Sequence, residues 1–301
     1  MASSAEAPSR LNFGDSNQAF IYGTAWKKDQ TKRLVREALA AGFRKVDTAA
    51  QPRHYQEELV GQAIRETIRE GVVRREDLYV QTKYTTPAGQ DLDNMPYHPL
   101  DSLDVQIRTS VASSLRNLRP TEESEEGSYA DCLLLHSPLP TIDQTIEAWK
   151  ILETYVPEKI RALGISNVTL PVLKSIYENS TIKPSVVQNR FYPKTQYDVP
   201  LREFCLEHDI SYQSFWTLTG NPTLLKSEPV MTIAKSTRVD DSVALYGLVS
   251  DLGIAVLNGT TSSEHMKQDL DGIQKIREWA GTHEKQWLRA TLNFRELIKS
   301  S

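Results

Sequence analysis

The chain has 301 residues, 39% of them hydrophobic and 25% charged, with a net charge of −4. That balance suits a globular protein with a sizeable core and excludes a dominant basic surface for nucleic acid. No run approaches the roughly 18 apolar residues of a membrane span, and the first ten residues lack the apolar stretch of a secretory leader. With only Cys132 and Cys205 there is no disulfide framework, so a reducing, cytoplasmic setting is expected, with no nucleic-acid or membrane partner.

From residue 20 onward, strand-like runs alternate with helix-like ones. FIYGTA (20–25) reads as a strand, and TKRLVREALAAGF (31–43) as a helix with a glycine at its end. RKVDTA (44–49) precedes a helix over 57–70, DLYVQTKY (77–84) one over 103–118, and YADCLLLH (129–136) one over 142–156. IRALGIS (160–166) precedes 170–180, SVVQNRF (185–191) precedes 199–209, ISYQSFW (210–216) precedes helical segments over 229–252, and IAVLN (254–258) precedes a last helical region. Parallel strands need crossovers, and eight βα units in about 250 residues fit a closed (β/α)8 TIM barrel with an extra C-terminal helix. The rival, an open doubly wound sheet, would carry a Gly-rich turn after its first strand, where this chain has GTAWKK. With no linker and no repeat, residues 1–301 are read as a single domain. The acidic segment 120–128 is read as a solvated loop, and 85–101, which follows a strand, as part of a lid.

A barrel keeps its active site at the C-terminal ends of its strands. Here those ends carry Asp47, Lys83, His136, Ser166 with Asn167, and Gln188 with Asn189. Each alone is unremarkable as a cap or packing residue. Consecutive strands ending in titratable or amide side chains predict a polar mouth facing one point. His136 has no H-x-x-x-H or cysteine partner, so no metal site is expected.

Several segments, in order from about residue 20 to 270, resemble the aldo-keto reductase family: VDTAAQPRHYQEELVGQAI, QTKY, LLLHSP, RALGISN and VVQNRFYP. The resemblance implies NAD(P)H-dependent reduction of aldehydes or ketones, with Tyr55 as general acid, Asp47 and Lys83 tuning it, and His136 orienting the carbonyl. A phenol with a pKa near about 10 is a poor acid-base group at neutral pH, and a nearby ammonium should lower that value. It also implies nicotinamide contacts from Ser166, Asn167, Gln188 and Phe215. Further cofactor contacts are expected from Gly23, Thr24, Trp216, Leu218, Asn258, Gly259, Thr260, Thr261, His265, Gln268 and Asp269. Trp26, Tyr84, Tyr192, Trp216 and the 85–101 loop should line a pocket for an apolar or aromatic small-molecule carbonyl or alcohol, in a monomeric protein.

The chain departs from the family pattern in two places. Tyr55 lies further after Asp47 than usual and one residue closer to Val60-Gly61; counted without a gap, His54 takes the catalytic place, whereas a lengthened QPRH loop assigns it to Tyr55. After the last strand, Asn258 and Gly259 stand where a Lys-Ser pair grips the NADP 2′-phosphate, and His265 stands near an expected Arg, with Glu264 beside it. The lost charge predicts weaker discrimination for NADP, with NAD also accepted. It also leaves open a non-catalytic nucleotide-binding regulatory barrel, or a barrel turned to a redox-neutral isomerisation or dehydration.

Overall fold

The structure is a computed structural model that describes residues 20–299. Its strands are β1 (Phe20–Gly23), β2 (Lys45–Asp47), β3 (Tyr79–Tyr84), β4 (Cys132–Leu135), β5 (Leu163–Ser166), β6 (Val186–Arg190), β7 (Ser211–Phe215) and β8 (Ala255–Asn258). They close into a parallel barrel in chain order, with β8 pairing back onto β1 through Tyr22 and Asn258. The helices are α1 (Thr31–Ala41), α2 (Glu57–Arg69), α3 (Leu103–Asn117), α4 (Ile142–Glu153), α5 (Leu170–Asn179), α6 (Val199–Glu207), α7 (Glu228–Thr237), α8 (Asp241–Asp251), α9 (Ser263–Thr282) and α10 (Glu284–Lys299). No helix among the described residues is long and apolar enough to cross a membrane.

The period of two along β3 shows how the barrel sorts side chains. Thr82 and Tyr84 point outward, Thr82 to Glu57 of α2 and Tyr84 to Gln106 of α3. Gln81 and Lys83 point inward, where Gln81 meets Asp47 and Gln213. Barrel interiors usually fill with branched apolar residues. Here one interior layer is polar, joining Asp47, Gln81, Gln188 and Gln213 through hydrogen bonds of 2.6–2.9 Å.

The helical stretch 229–252 is two helices, because Arg238 takes a left-handed conformation (φ +54°) and breaks the run. After β8, α9 completes the eighth βα unit, and α10 is the extra C-terminal helix expected from the sequence. α10 packs on α7 and α8, and its Trp287 and Arg295 donate to Asp251 of α8 at 3.2 and 3.1 Å.

Gly61 of α2 sits under the C-terminal end of α3. A Cβ built there would lie 1.8 Å from the backbone oxygen of Asn117, which cannot move aside like a flexible side chain. The glycine of the Val60-Gly61 motif is therefore a packing requirement. Gly61→Ala should destabilise the fold by about 1–3 kcal/mol, the usual range for overpacking, read as a lower urea midpoint; an unchanged midpoint would show that α3 shifts freely.

Candidate active site

At the C-terminal mouth, Lys83 of β3 reaches Asp47 on the neighbouring strand β2. Its Nζ lies 2.7 Å from each carboxylate oxygen and 2.9 Å from the Thr48 carbonyl. Asp47 Oδ1 also accepts from Gln81 at 2.6 Å and Gln188 at 2.9 Å. Asp47 and Lys83 are both buried to within 1%. Burial alone would pull Lys83 down, but the Asp47 carboxylate and Tyr55 outweigh it and hold the ammonium above its ordinary range.

Tyr55, in the loop between β2 and α2, lies beside this pair, with Lys83 Nζ 4.9 Å from the centre of its ring. Burial raises the phenol above 10.0, and Lys83 offsets this only in part. The lowering expected from a neighbouring ammonium is present but is outweighed by desolvation. His136, after β4, approaches Tyr55 edge-on, with ring centres 6.0 Å apart. Its Nδ1 is 2.7 Å from Thr85 Oγ1, and burial, with Lys83 adding to it, drives its pKa down to about 3, so the ring is neutral. The His54 ring packs instead on Trp26, centres 3.8 Å apart, near enough to His136 to add slightly to the lowering of that ring's pKa. Between the two aligned candidates, it is Tyr55 that the loop brings to Lys83.

The neighbouring strand ends supply amides and aromatic rings. Ser166 Oγ donates to the Gln188 carbonyl at 2.7 Å, and Asn167 Nδ2 donates to the His136 carbonyl at 2.9 Å. Gln188 turns its amide nitrogen inward to Asp47 and Gln213. Phe215 is partly buried, and Trp216 stands 53% exposed with Tyr192 6.3 Å away. Leu218 packs on the core behind them. Trp26, just beyond the C-terminal end of β1, is 66% exposed. Tyr84 does not reach the pocket: inward-pointing Lys83 obliges it to face outward, where it is 1% exposed and donates to Gln106 at 3.1 Å.

The loop after β8 is built by its own side chains. Asn258 is fully buried; its amide donates to Asp269 at 2.7 Å and accepts from the Thr260 backbone at 3.0 Å. The side chains of Asn258 and Asp269 are thus turned to each other. Gly259, Thr261, His265 and Gln268 are exposed, Gln268 donating to Glu264 at 2.9 Å. Ser262 caps α9 by accepting from the His265 backbone at 3.3 Å. Gly23 and Thr24 line the base, Thr24 bonding to the Asp47 carbonyl at 2.8 Å, and Tyr22 donates to the Thr260 carbonyl at 3.0 Å. Lys267 is paired with Asp271 at 3.2 Å.

Several residues escaped the sequence reading. Thr85, which fixes the His136 ring, and Gln81 and Gln213, which hold Asp47, carry no signal beyond strand periodicity. Lys27 could have been found, because it follows the GTAW end of β1. Its ammonium donates to the Gly259 carbonyl and is lowered by burial to about 8. Arg190 at the end of β6 was also missed.

The sequence matches the aldo/keto reductase family over residues 12–294. The chain belongs to that family. Among its relatives within the aldo/keto reductases, the NAD/NADP-dependent indole-3-acetaldehyde reductase of Schizosaccharomyces pombe is 30% identical over 270 residues, covering 84% of each chain. The NAD(P)H-dependent D-xylose reductase of Scheffersomyces stipitis is 26% identical and covers 87% of each. A Bombyx mori aldo-keto reductase solved in complex with NADP shares the fold, with a TM-score of 0.67 at 22% identity, over 86% of this chain and 88% of that one.

Lys27 gives this aldo/keto reductase a cation beside the loop that lost its Lys-Ser pair. Only its protonated form supplies charge, so that contribution is present below a pH of about 8 and fades above it. NADPH affinity, read by tryptophan quenching, should therefore weaken between about pH 7 and 9 in the native chain and be flatter in Lys27→Met. Equal pH dependence in both would assign the effect to another group.

Proposed function

We propose that this chain reduces aldehydes or ketones to alcohols with NAD(P)H, and that Tyr55 is the general acid. The observation that carries the reading is the convergence of the Tyr55 phenol, the Asp47-bound Lys83 ammonium and a neutral His136 at one point of the mouth. The residues present suit a dinucleotide: side-chain-free Gly259 lies exposed before the Ser262-capped start of α9, Lys27 reaches the same loop, and Phe215 and Asn167, both in contact with Arg190, mark the nicotinamide end. Helix N-termini favour phosphate. When bound, NAD(P)H supplies the hydride.

The side chains do the rest. Negative charge developing on the carbonyl oxygen must be met by a proton. Tyr55, raised by burial, keeps its proton until that charge appears. Lys83 then stabilises the phenolate left behind, and Asp47 keeps Lys83 charged and in place. His136, fixed through Nδ1 by Thr85, presents its other ring nitrogen as a hydrogen-bond donor to the carbonyl oxygen, a neutral donor that does not compete as an acid. Trp26, Tyr192 and Trp216 wall the pocket and suit apolar or aromatic carbonyl compounds. The two fungal relatives, named for an aldehyde and a sugar carbonyl and for use of both nucleotides, support a carbonyl substrate and NADP with NAD accepted. The reading is of a monomeric, cytoplasmic, single-domain enzyme.

Tyr55→Phe should lower kcat for aldehyde reduction by about 100-fold or more while leaving NADPH affinity within about twofold. His54→Ala should keep most of the turnover; the reverse pattern would move the acid to His54. The pH profile is a second check. An acid acts below its pKa; Tyr55 lies above 10.0 and His136 near about 3, so neither changes state near neutrality. The kcat for reduction should be level from about pH 6 to 9 and fall only above that. A limb centred between about pH 6 and 8 would contradict the assignment.

A further inference from the structure

Arg190 closes β6 on the same inward-facing row as Gln188, and its register partner on β7 is Phe215. Its Nη1 donates to Asn167 Oδ1 at 2.9 Å. The guanidinium carbon lies 5.1 Å from the centre of the Phe215 ring and 4.7 Å from that of Trp216. Its partners are themselves constrained. Asn167 and Trp216 both hold left-handed backbone (φ +54° and +60°), and Asn167 is tied to the His136 carbonyl at 2.9 Å. Among the described residues no carboxylate pairs with Arg190; an amide and two aromatic faces hold the cation without neutralising it. Lys83, by contrast, is paired with Asp47.

Two of the residues proposed above for the nicotinamide, Asn167 and Phe215, therefore touch an uncompensated, partly buried positive charge. The two oxidation states of the nucleotide share the same sugars and phosphates and differ at the ring, which is cationic when oxidised and neutral when reduced. A fixed cation beside that ring raises the free energy of the oxidised form and leaves the reduced form nearly untouched. We infer that Arg190 makes the site hold the reduced nucleotide more tightly than the oxidised one, so that NADPH occupies the free enzyme and NADP+ leaves readily after hydride transfer. The inference rests on the nicotinamide position proposed above.

Equilibrium binding tests it without turnover. Dissociation constants for NADPH and NADP+ are measured by tryptophan quenching on the full chain, native and with Arg190→Gln, Arg190→Lys and Arg190→Glu. The ratio of the NADP+ constant to the NADPH constant should fall by about tenfold or more in Arg190→Gln. It should fall further in Arg190→Glu and stay near the native value in Arg190→Lys, which also shows that the site tolerates substitution. An unchanged ratio in the Gln and Glu variants overturns the inference. Equal weakening of both nucleotides also overturns it, and would make Arg190 a phosphate anchor. Failure of the native chain to bind either nucleotide would instead remove the proposed function, and the inference with it.

Discussion

The site depends on one buried ion pair, Asp47 with Lys83. Taking two charges out of water costs several kcal/mol per ion in real proteins, and the attraction between them repays this only when the remaining hydrogen-bonding capacity is also met. Here it is met. Lys83 has three short contacts, to both oxygens of Asp47 and the Thr48 carbonyl, and Asp47 accepts in addition from Gln81 and Gln188. Gln213 completes the layer by bonding both glutamines. A well-packed apolar layer would serve stability as well or better, so the pair is best understood through what stands above it: a phenol that has a fixed cation at its edge.

Around that pair the mouth divides by strand. The β2, β3 and β4 ends and the loop after β2 hold the titratable groups Asp47, Lys83, His136 and Tyr55. Burial keeps Tyr55 protonated and His136 neutral, so both neighbours are uncharged. The β5, β6 and β7 ends carry amides, aromatic rings and Arg190. The β8 end meets β1 through Asn258 and Tyr22, and there Lys27 reaches across to Gly259. Closure of the barrel brings these three groups onto one rim, although they span the chain from Lys27 to Asp269.

The alternation of apolar strands and amphipathic helices was legible, because burial imposes periods of two and about 3.6 on any sequence. Strand candidates overran the observed strands by up to three residues at an end, as in 129–136 against Cys132–Leu135, because extended chain runs on where the ladder pairing stops. Polar residues at strand ends were legible for the same reason: Asp47, Lys83 and His136 interrupt apolar runs. Direction was not. Tyr84 looks like a pocket residue until Lys83 is known to point inward. Asn258 looks like a phosphate ligand until its amide is seen to be used within its own loop. Gln81 and Gln213 read as ordinary strand residues, because only closure of the barrel brings β3 and β7 face to face.

In the proposed mechanism the Asp47–Lys83 pair equips Tyr55 to protonate a carbonyl as it receives hydride. The most direct measurement follows deuterium from NADPH carrying two deuteriums at C4 of the nicotinamide into the product of an aromatic aldehyde, by mass spectrometry, in the native chain and in Lys83→Met. One deuterium is expected on the carbinol carbon with the native chain, and transfer slower by about 100-fold or more in Lys83→Met at saturating, still-bound nucleotide. A native chain that binds the nucleotide yet transfers no deuterium, or a Lys83→Met chain that transfers it at the native rate, would contradict this mechanism.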